Sequence, residues 1–262
     1  MSLRPWLAAS ALVGTLAAWV DSPAPVTARY RIGITSQQTV DLSAFGQGER
    51  SQTTQTTGFV TITVADSAGG SVITMKVDSV QLDTALKASQ ASVDSLRGAI
   101  TRTFITAEGK AIRQRRDNTT GLLLALGLDA LSRRFVPPTP AHRKPGATWT
   151  DTVDVADTLP NGSVTTRTVS NYASSDDSFE GTKAIKVAAS FSSAVQGVQS
   201  GQGGDGSFDG TGTGTASWYY GGDGIALGGN SKTTQNLSFT GGGAPAPIPI
   251  AVQNDVAVTR LK

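Results

Sequence analysis

Apolar residues recur at every second position through most of the chain. Tyr30, Ile32, Ile34, Val40 and Leu42 share one parity, followed by Val60, Ile62 and Val64, then by Ile73, Met75 and Val77. A period of two sends successive side chains to opposite faces, so each run predicts a half-buried strand. The second and third runs are joined by Asp66-Ser67-Ala68-Gly69-Gly70, whose glycines can take positive φ, and together they predict a hairpin. Another pair runs from about Ile100 to Arg115 and turns at Glu108-Gly109. Beyond residue 147 the plan recurs. Trp149, Val153 and Val155 lead to a turn at Pro160-Asn161-Gly162, Val164–Tyr172 returns, and Ile185, Val187, Ala189 and Phe191 continue the meander. Ser217-Trp218-Tyr219-Tyr220 then enters a turn at Asp223-Gly224, a strand leaves from Ile225, and Ile250–Leu261 closes the chain. Gly109 and Gly224, each just after an acidic residue, are expected at positive φ.

Two segments break the alternation. Asn118 or Thr119 can cap a run in which Leu122, Leu123, Leu126, Ala130 and Leu131 fall at helical spacing, predicting a Leu-rich helix over 119–134 that Pro137-Pro138 stops. Near the start, Arg4 precedes an apolar run from Trp6 to Val20, and Val26-Thr27-Ala28 puts small residues where a signal peptidase cuts. That run is shorter than the roughly 20 residues that span a bilayer, which favours a cleaved signal. Trp6 and Trp19 at its two ends suit a retained anchor instead. The organisation expected is a signal peptide or anchor over 1–28, a first antiparallel half with its helix over 29–136, a Pro-rich linker over 137–146, and a second half over 147–262. The fold class is mainly β: a curved antiparallel sheet or half-barrel built from two similar meander halves. The Gly-rich stretch Gln199–Gly214 reads as a loop between strands, and Gly241–Pro249 as a second linker.

Composition narrows the function. The chain has no cysteine, which removes disulfides, thiolate metal sites, thiol nucleophiles and lipidation at an N-terminal Cys. Its net charge of +2 argues against nucleic acid as a partner. Met1–Lys144 holds 16 Lys and Arg against 10 Asp and Glu, whereas Pro145–Lys262 holds 6 against 10, so the two halves differ in sign.

Little in the sequence points to catalysis or to a bound metal or cofactor. The single histidine, His142, lies in the Pro-rich linker, and no Gly-x-Ser-x-Gly elbow accompanies it. Gly201-Gln202-Gly203-Gly204-Asp205-Gly206 matches the dinucleotide pattern but lacks the strand before and the helix after it. Asp205 and Asp209 suggest at most one partial copy of a calcium repeat. Asp176-Asp177 reads as a solvated turn pair. A non-enzyme without cofactor or metal is expected.

Phe135-Val136-Pro137-Pro138-Thr139-Pro140, followed by Pro145-Gly146-Ala147-Thr148-Trp149, is similar to a feature of exported bacterial domains of unknown function: a Pro-rich segment, then a Pro-Gly-x-x-Trp entry into further strands. With the acidic-Gly hairpins, the body from Ala28 to Leu261 resembles the lipoprotein-carrier superfold in its strand order. That resemblance implies a curved sheet around an apolar cavity that takes acyl chains, with the helix as its cover. This chain departs in having one helix where the carriers have more.

The most suggestive surface feature is a basic cluster, Arg113, Arg115, Arg116, Arg133, Arg134, Arg143 and Lys144, that brackets the Leu-rich helix with Leu122, Leu123 and Leu126. A leucine face rimmed by arginine suits an anionic membrane surface or an acidic partner. Two functions follow. One is a periplasmic scaffold or accessory subunit of a membrane-associated complex, photosynthetic or respiratory, lying at the inner-membrane face. The other is a periplasmic carrier of a lipid or other lipophile. A cleaved leader with no retaining partner would make the protein secreted.

Overall fold

The computed structural model describes residues 24–67, 69–82, 94–106, 111–117, 131–137, 144–159, 162–201, 204–241 and 246–262. Among the described residues, eleven strands form one sheet. They are β1 (Val26–Asp41), β2 (Glu49–Ser67), β3 (Gly70–Leu82), β4 (Ile100–Thr106), β5 (Ala111–Asp117), β6 (Thr148–Leu159), β7 (Gly162–Phe179), β8 (Thr182–Gly201), β9 (Gly204–Tyr220), β10 (Ala226–Gly241) and β11 (Ile248–Arg260). The spatial order is β5-β4-β3-β2-β1-β11-β10-β9-β8-β7-β6, so the first and last strands meet in the middle and β5 and β6 are the two edges. The sheet is a curled half-barrel, antiparallel throughout.

The expected strands are present, most of them longer than the alternation suggested. Val26, Thr27 and Ala28 are the first rungs of β1, opposite Val64, Thr63 and Ile62. Gly224 takes φ 77°, as expected after its acidic neighbour. Gly109 lies outside the described residues, as do His142 and 118–130, the bulk of the expected helix. The end of that segment is visible as a 3-10 turn over Ser132–Phe135.

Two expectations are corrected. Gln199–Gly214 is not a loop: β8 runs on to Gly201 and β9 begins at Gly204. Gly210, Gly212 and Gly214 alternate with Thr211, Thr213 and Thr215, a strand period in a composition that resembles a loop. Asp176-Asp177 likewise belongs to β7, opposite Ile185 and Ala184, rather than to a turn.

The core fills one end of the trough. Tyr30, Ile32, Val60, Ile62, Ile73, Met75 and Val77 are fully buried on the inward face, and Phe135 from the 3-10 turn sits among them. Its ring lies 4.6 Å from that of Tyr30 and 5.9 Å from that of Trp218, bridging the two arms of the sheet. A bulge lets β3 contribute on both sides of an odd spacing. The register shifts between Phe59 and Val60, Asp78 is the extra residue, and Val77 and Val80 both face inward. The displaced Asp78 accepts a hydrogen bond from Thr61 Oγ1 at 2.8 Å and has Arg29 at 3.4 Å.

Two stability outcomes follow. Phe135→Ala, which empties the contact between the arms, should cost about 3–5 kcal/mol in urea unfolding followed by Trp fluorescence. The β7–β8 turn has positive φ at both Glu180 (49°) and Gly181 (79°), a two-residue connection that favours Asn-Gly. Glu180→Asn should therefore raise stability by about 0.5–1 kcal/mol in the same measurement.

Candidate binding face

The pairing registers sort every described strand residue onto one of two faces, since directly opposite residues point the same way. One rung crosses the filled end: Ile32, Val258, Gly229, Trp218 and Val187. Moving along the strands, the next inward rungs read Ile34, Val256, Ser231, Ala216, Ala189, Tyr172 and Trp149, then Ser36, Asn254, Thr233, Gly214, Phe191 and Ser170. Trp149 and Tyr172 stack at 4.9 Å where the apolar zone meets the β6 edge. The following rung, Gln38, Val252, Gln235, Gly212, Ser193 and Thr168, is largely polar and uncharged.

Apolar character then returns. Val40, Ile250, Leu237, Gly210 and Val195 form one rung, and Ile248, Phe239, Phe208, Gly197 and Val164 the next. Val195 is 7% exposed and the others are half-buried. The charged residues that bound this distal field in register are Arg50, opposite Val40 on β2, and Asp157, opposite Val164 on β6. Aromatic rings lie over glycines in it. A Cβ on Gly197 would fall 2.2 Å from the Phe208 ring, and one on Gly206 would fall 2.5 Å from the Phe239 ring. Glycine at those positions lets each ring lie against the backbone of the neighbouring strand and leaves the trough floor smooth.

The outward face is the chemical opposite. Thr27, Arg29, Arg31, Thr35, Gln37 and Thr39 alternate with the inward residues of β1, and Lys232, Thr234 and Asn236 do so on β10. Hydroxyls pair across strands there, Thr27 with Thr63 at 3.1 Å and Thr39 with Ser51 at 2.8 Å. A barrel spanning an outer membrane needs an apolar band facing outward. Here the polarity is inverted, and the apolar side is the inside of the curl. An open hollow of about 320 Å³ lies near the distal ends of β7, β8 and β9, lined mainly by outward polar residues including Ser163, Thr165, Gln196 and Asp209. It is not the enclosed apolar cavity of a lidded carrier.

The arginines expected to meet a partner divide between two places. Arg113, Arg115 and Arg116 lie on the β5 edge. Arg133 and Arg134 are in the 3-10 turn and half-buried. Arg134 Nη1 donates to Tyr172 Oη at 3.2 Å, while Tyr220 Oη donates to the Arg134 carbonyl at 3.0 Å. Leu122, Leu123 and Leu126 lie outside the described residues. Sequence reasoning missed the distal field because its rungs draw single residues from strands far apart in the chain. The available signal was the period-two spacing of Phe208, Gly210, Gly212 and Gly214.

No family model matches this chain, and no curated protein matches it. Among solved structures, a triple mutant of the Rhodopseudomonas blastica porin aligns over 90% of this chain and 100% of its own at 9% identity, with a TM-score of 0.27. OprB of Pseudomonas putida in its high-pH form aligns over 89% and 94% at 6% identity and a TM-score of 0.20. An outer membrane channel from Pseudomonas putida F1 aligns over 92% and 97% at 13% identity and a TM-score of 0.16.

Tyr30 ties the centre of the sheet to the β9–β10 turn. Its phenol is fully buried and donates to the Ala226 carbonyl at 2.6 Å. Burial pushes its pKa well above the usual tyrosine value, opposed by the nearby Arg260 and reinforced by Asp223. With the folded value raised, the stabilisation is fully present below the unfolded tyrosine pKa of about 10 and is lost as pH rises through the folded value. Wild type should lose stability above about pH 10 more steeply than Tyr30→Phe, as measured by urea midpoints across alkaline pH.

Proposed function

We propose that this chain is an exported, non-catalytic protein of the bacterial envelope whose distal trough holds the acyl part of a lipid or a similar elongated lipophile. The observation that carries the reading is the uncharged apolar field of Val40, Val195, Phe208, Leu237, Phe239, Ile248 and Ile250, separated from the packed core by a polar rung. A sheet face of that kind is stable when it buries against something. Five strands at about 4.8 Å spacing and two rungs give a field of only a few hundred Å², whereas a stable protein interface needs about 800 Å² per partner. The field thus suits a chain-like ligand better than a folded partner. Gln38, Gln235 and Ser193 beside it can hydrogen-bond an uncharged polar group at the ligand's end. This is the carrier reading implied by the resemblance to the lipoprotein-carrier superfold, with a trough that is open among the described residues.

The scaffold reading draws on a different observation, the two edge strands β5 and β6, which among the described residues have no strand neighbour on their outer sides. Such edges can pair through the main chain with a subunit of a membrane complex. The lipophile reading is tested by titrating the purified full chain with a fluorescent long-chain fatty acid. Saturable binding is expected, with a loss of about ten-fold or more in Leu237→Asp and in Phe208→Asp, since a carboxylate in the trough must be desolvated by the ligand. Both positions lie away from the packed core, so the variants should keep the wild-type circular dichroism spectrum. Absence of binding, or equal binding by folded variants, would overturn the reading.

A further inference from the structure

The distal trough has a basic residue at one end. Arg50 stands opposite Val40, so it falls on the inward face of β2, at the head of the apolar row Val40, Ile250, Leu237, Gly210 and Val195. It is exposed, and among the described residues its one polar partner is a neutral acceptor, Gln47 Oε1, which takes a hydrogen bond from Nη2 at 2.8 Å. A guanidinium has more N–H donors than that single bond uses. Gln38 and Gln52, opposite one another in the next inward rung, put two neutral amides beside it. The nearest acids in register, Asp41 and Glu49, face each other on the outward parity, and Asp41 accepts a hydrogen bond from the Ser43 amide at 2.8 Å.

The opposite end of the inward face differs in sign. On β6 the inward register positions include Asp151, opposite Ser170, and none of the strand's residues is basic. A hydrocarbon chain laid along the row from β2 to β8 crosses five strand spacings, about 24 Å of sheet, before it reaches the buried Val195. The polar rung of Gln38, Gln235 and Ser193 runs beside that row and meets polar groups along the chain. A negatively charged head therefore has one favourable end, at Arg50, and one unfavourable end, at β6. A single guanidinium matches a singly charged carboxylate fork to fork. A doubly charged phosphate would leave one charge uncompensated within reach of Asp41 and Glu49.

We propose that the trough takes a single-chain amphiphile with a carboxylate head, lying across the strands with the carboxylate on Arg50 and the tail towards Val195. This rests on the reading of the trough as a lipid site and adds the charge and the direction of its ligand.

The experiment is calorimetric titration of the full chain with dodecanoic acid, dodecanol and dodecyl phosphate. Wild type should bind the acid about ten-fold more tightly than the alcohol, and more tightly than the phosphate. Raising the salt should weaken the acid and leave the alcohol unchanged, because exposed charges are screened over about 8 Å at physiological ionic strength. Arg50→Gln should bring the acid down to the affinity of the alcohol without changing that of the alcohol, and Arg50→Glu should bring the acid below it. Both substitutions are at an exposed position and should keep the wild-type circular dichroism spectrum. Equal binding of acid and alcohol by wild type, a preference that Arg50→Gln retains, or tighter binding of the phosphate would overturn this proposal while leaving the trough a lipid site. Failure of all three compounds to bind would overturn both.

Discussion

The ladder between β1 and β11 is the constraint on which the rest of the structure depends. It joins the two ends of the described chain, from Tyr30 opposite Arg260 to Val40 opposite Ile250, and without it β1–β5 and β6–β11 would be separate meanders. Because side chains alternate with a period of two, a slip of one residue would turn Ile32 and Ile34 outward and bring Arg31 and Thr35 into the core. Several bonds hold the register. The Leu261 amide donates to the Arg29 carbonyl at 2.8 Å, Arg260 pairs with Asp223 in the β9–β10 turn, and Tyr30 reaches the carbonyl of Ala226. The contacts of Leu261 with Arg29 and of Tyr30 with Ala226 each span more than 190 residues of sequence, an entropic cost that makes such a topology slow to assemble.

Once that ladder is set, the polarity of the whole sheet follows. All inward positions lie on one surface of the curl, and they are filled by the most apolar residues at one end only. There Phe135 reaches across from the 3-10 turn and closes the gap between Tyr30 and Trp218. The strands of the second arm run well past this plug, β8 for 20 residues and β7 for 18. The described residues place no second layer over their far ends. The distal rungs keep an apolar inward face and a hydroxyl-rich outward face, so the trough is defined by strand length as much as by side-chain choice.

Trough and edges assign different kinds of partner to different surfaces. The inward field is narrow, smooth and uncharged, with ring faces laid over Gly197 and Gly206, which fits a flexible hydrocarbon chain. The edges offer backbone hydrogen bonds, which fit another strand. A single continuous sheet can hold both because faces and edges of a sheet are chemically independent. The arginine set noticed in the sequence is split by this geometry, with Arg133 and Arg134 in the 3-10 turn, Arg134 bonded to Tyr172 and Tyr220, while Arg113, Arg115 and Arg116 belong to β5.

Sequence periodicity alone determined the strand-rich class, the hairpin after Val64, the positive φ of Gly224 and the inward parity of Tyr30, Ile32, Val60 and Met75. Those are local properties, set by alternation over five to eight residues and by the steric freedom of glycine. The sequence did not show that Gly204–Gly214 is a strand, because glycine contributes no apolar signal and its partners, Phe191 and Phe239, lie in other strands. Nor did it show that residue 30 faces residue 260, that Asp176 and Asp177 sit in a ladder, or that the distal rungs form one field. Each of these rests on the pairing of distant strands. Pairing is decided by the joint burial of many side chains and by closure of the β1–β11 ladder, and no single segment records it.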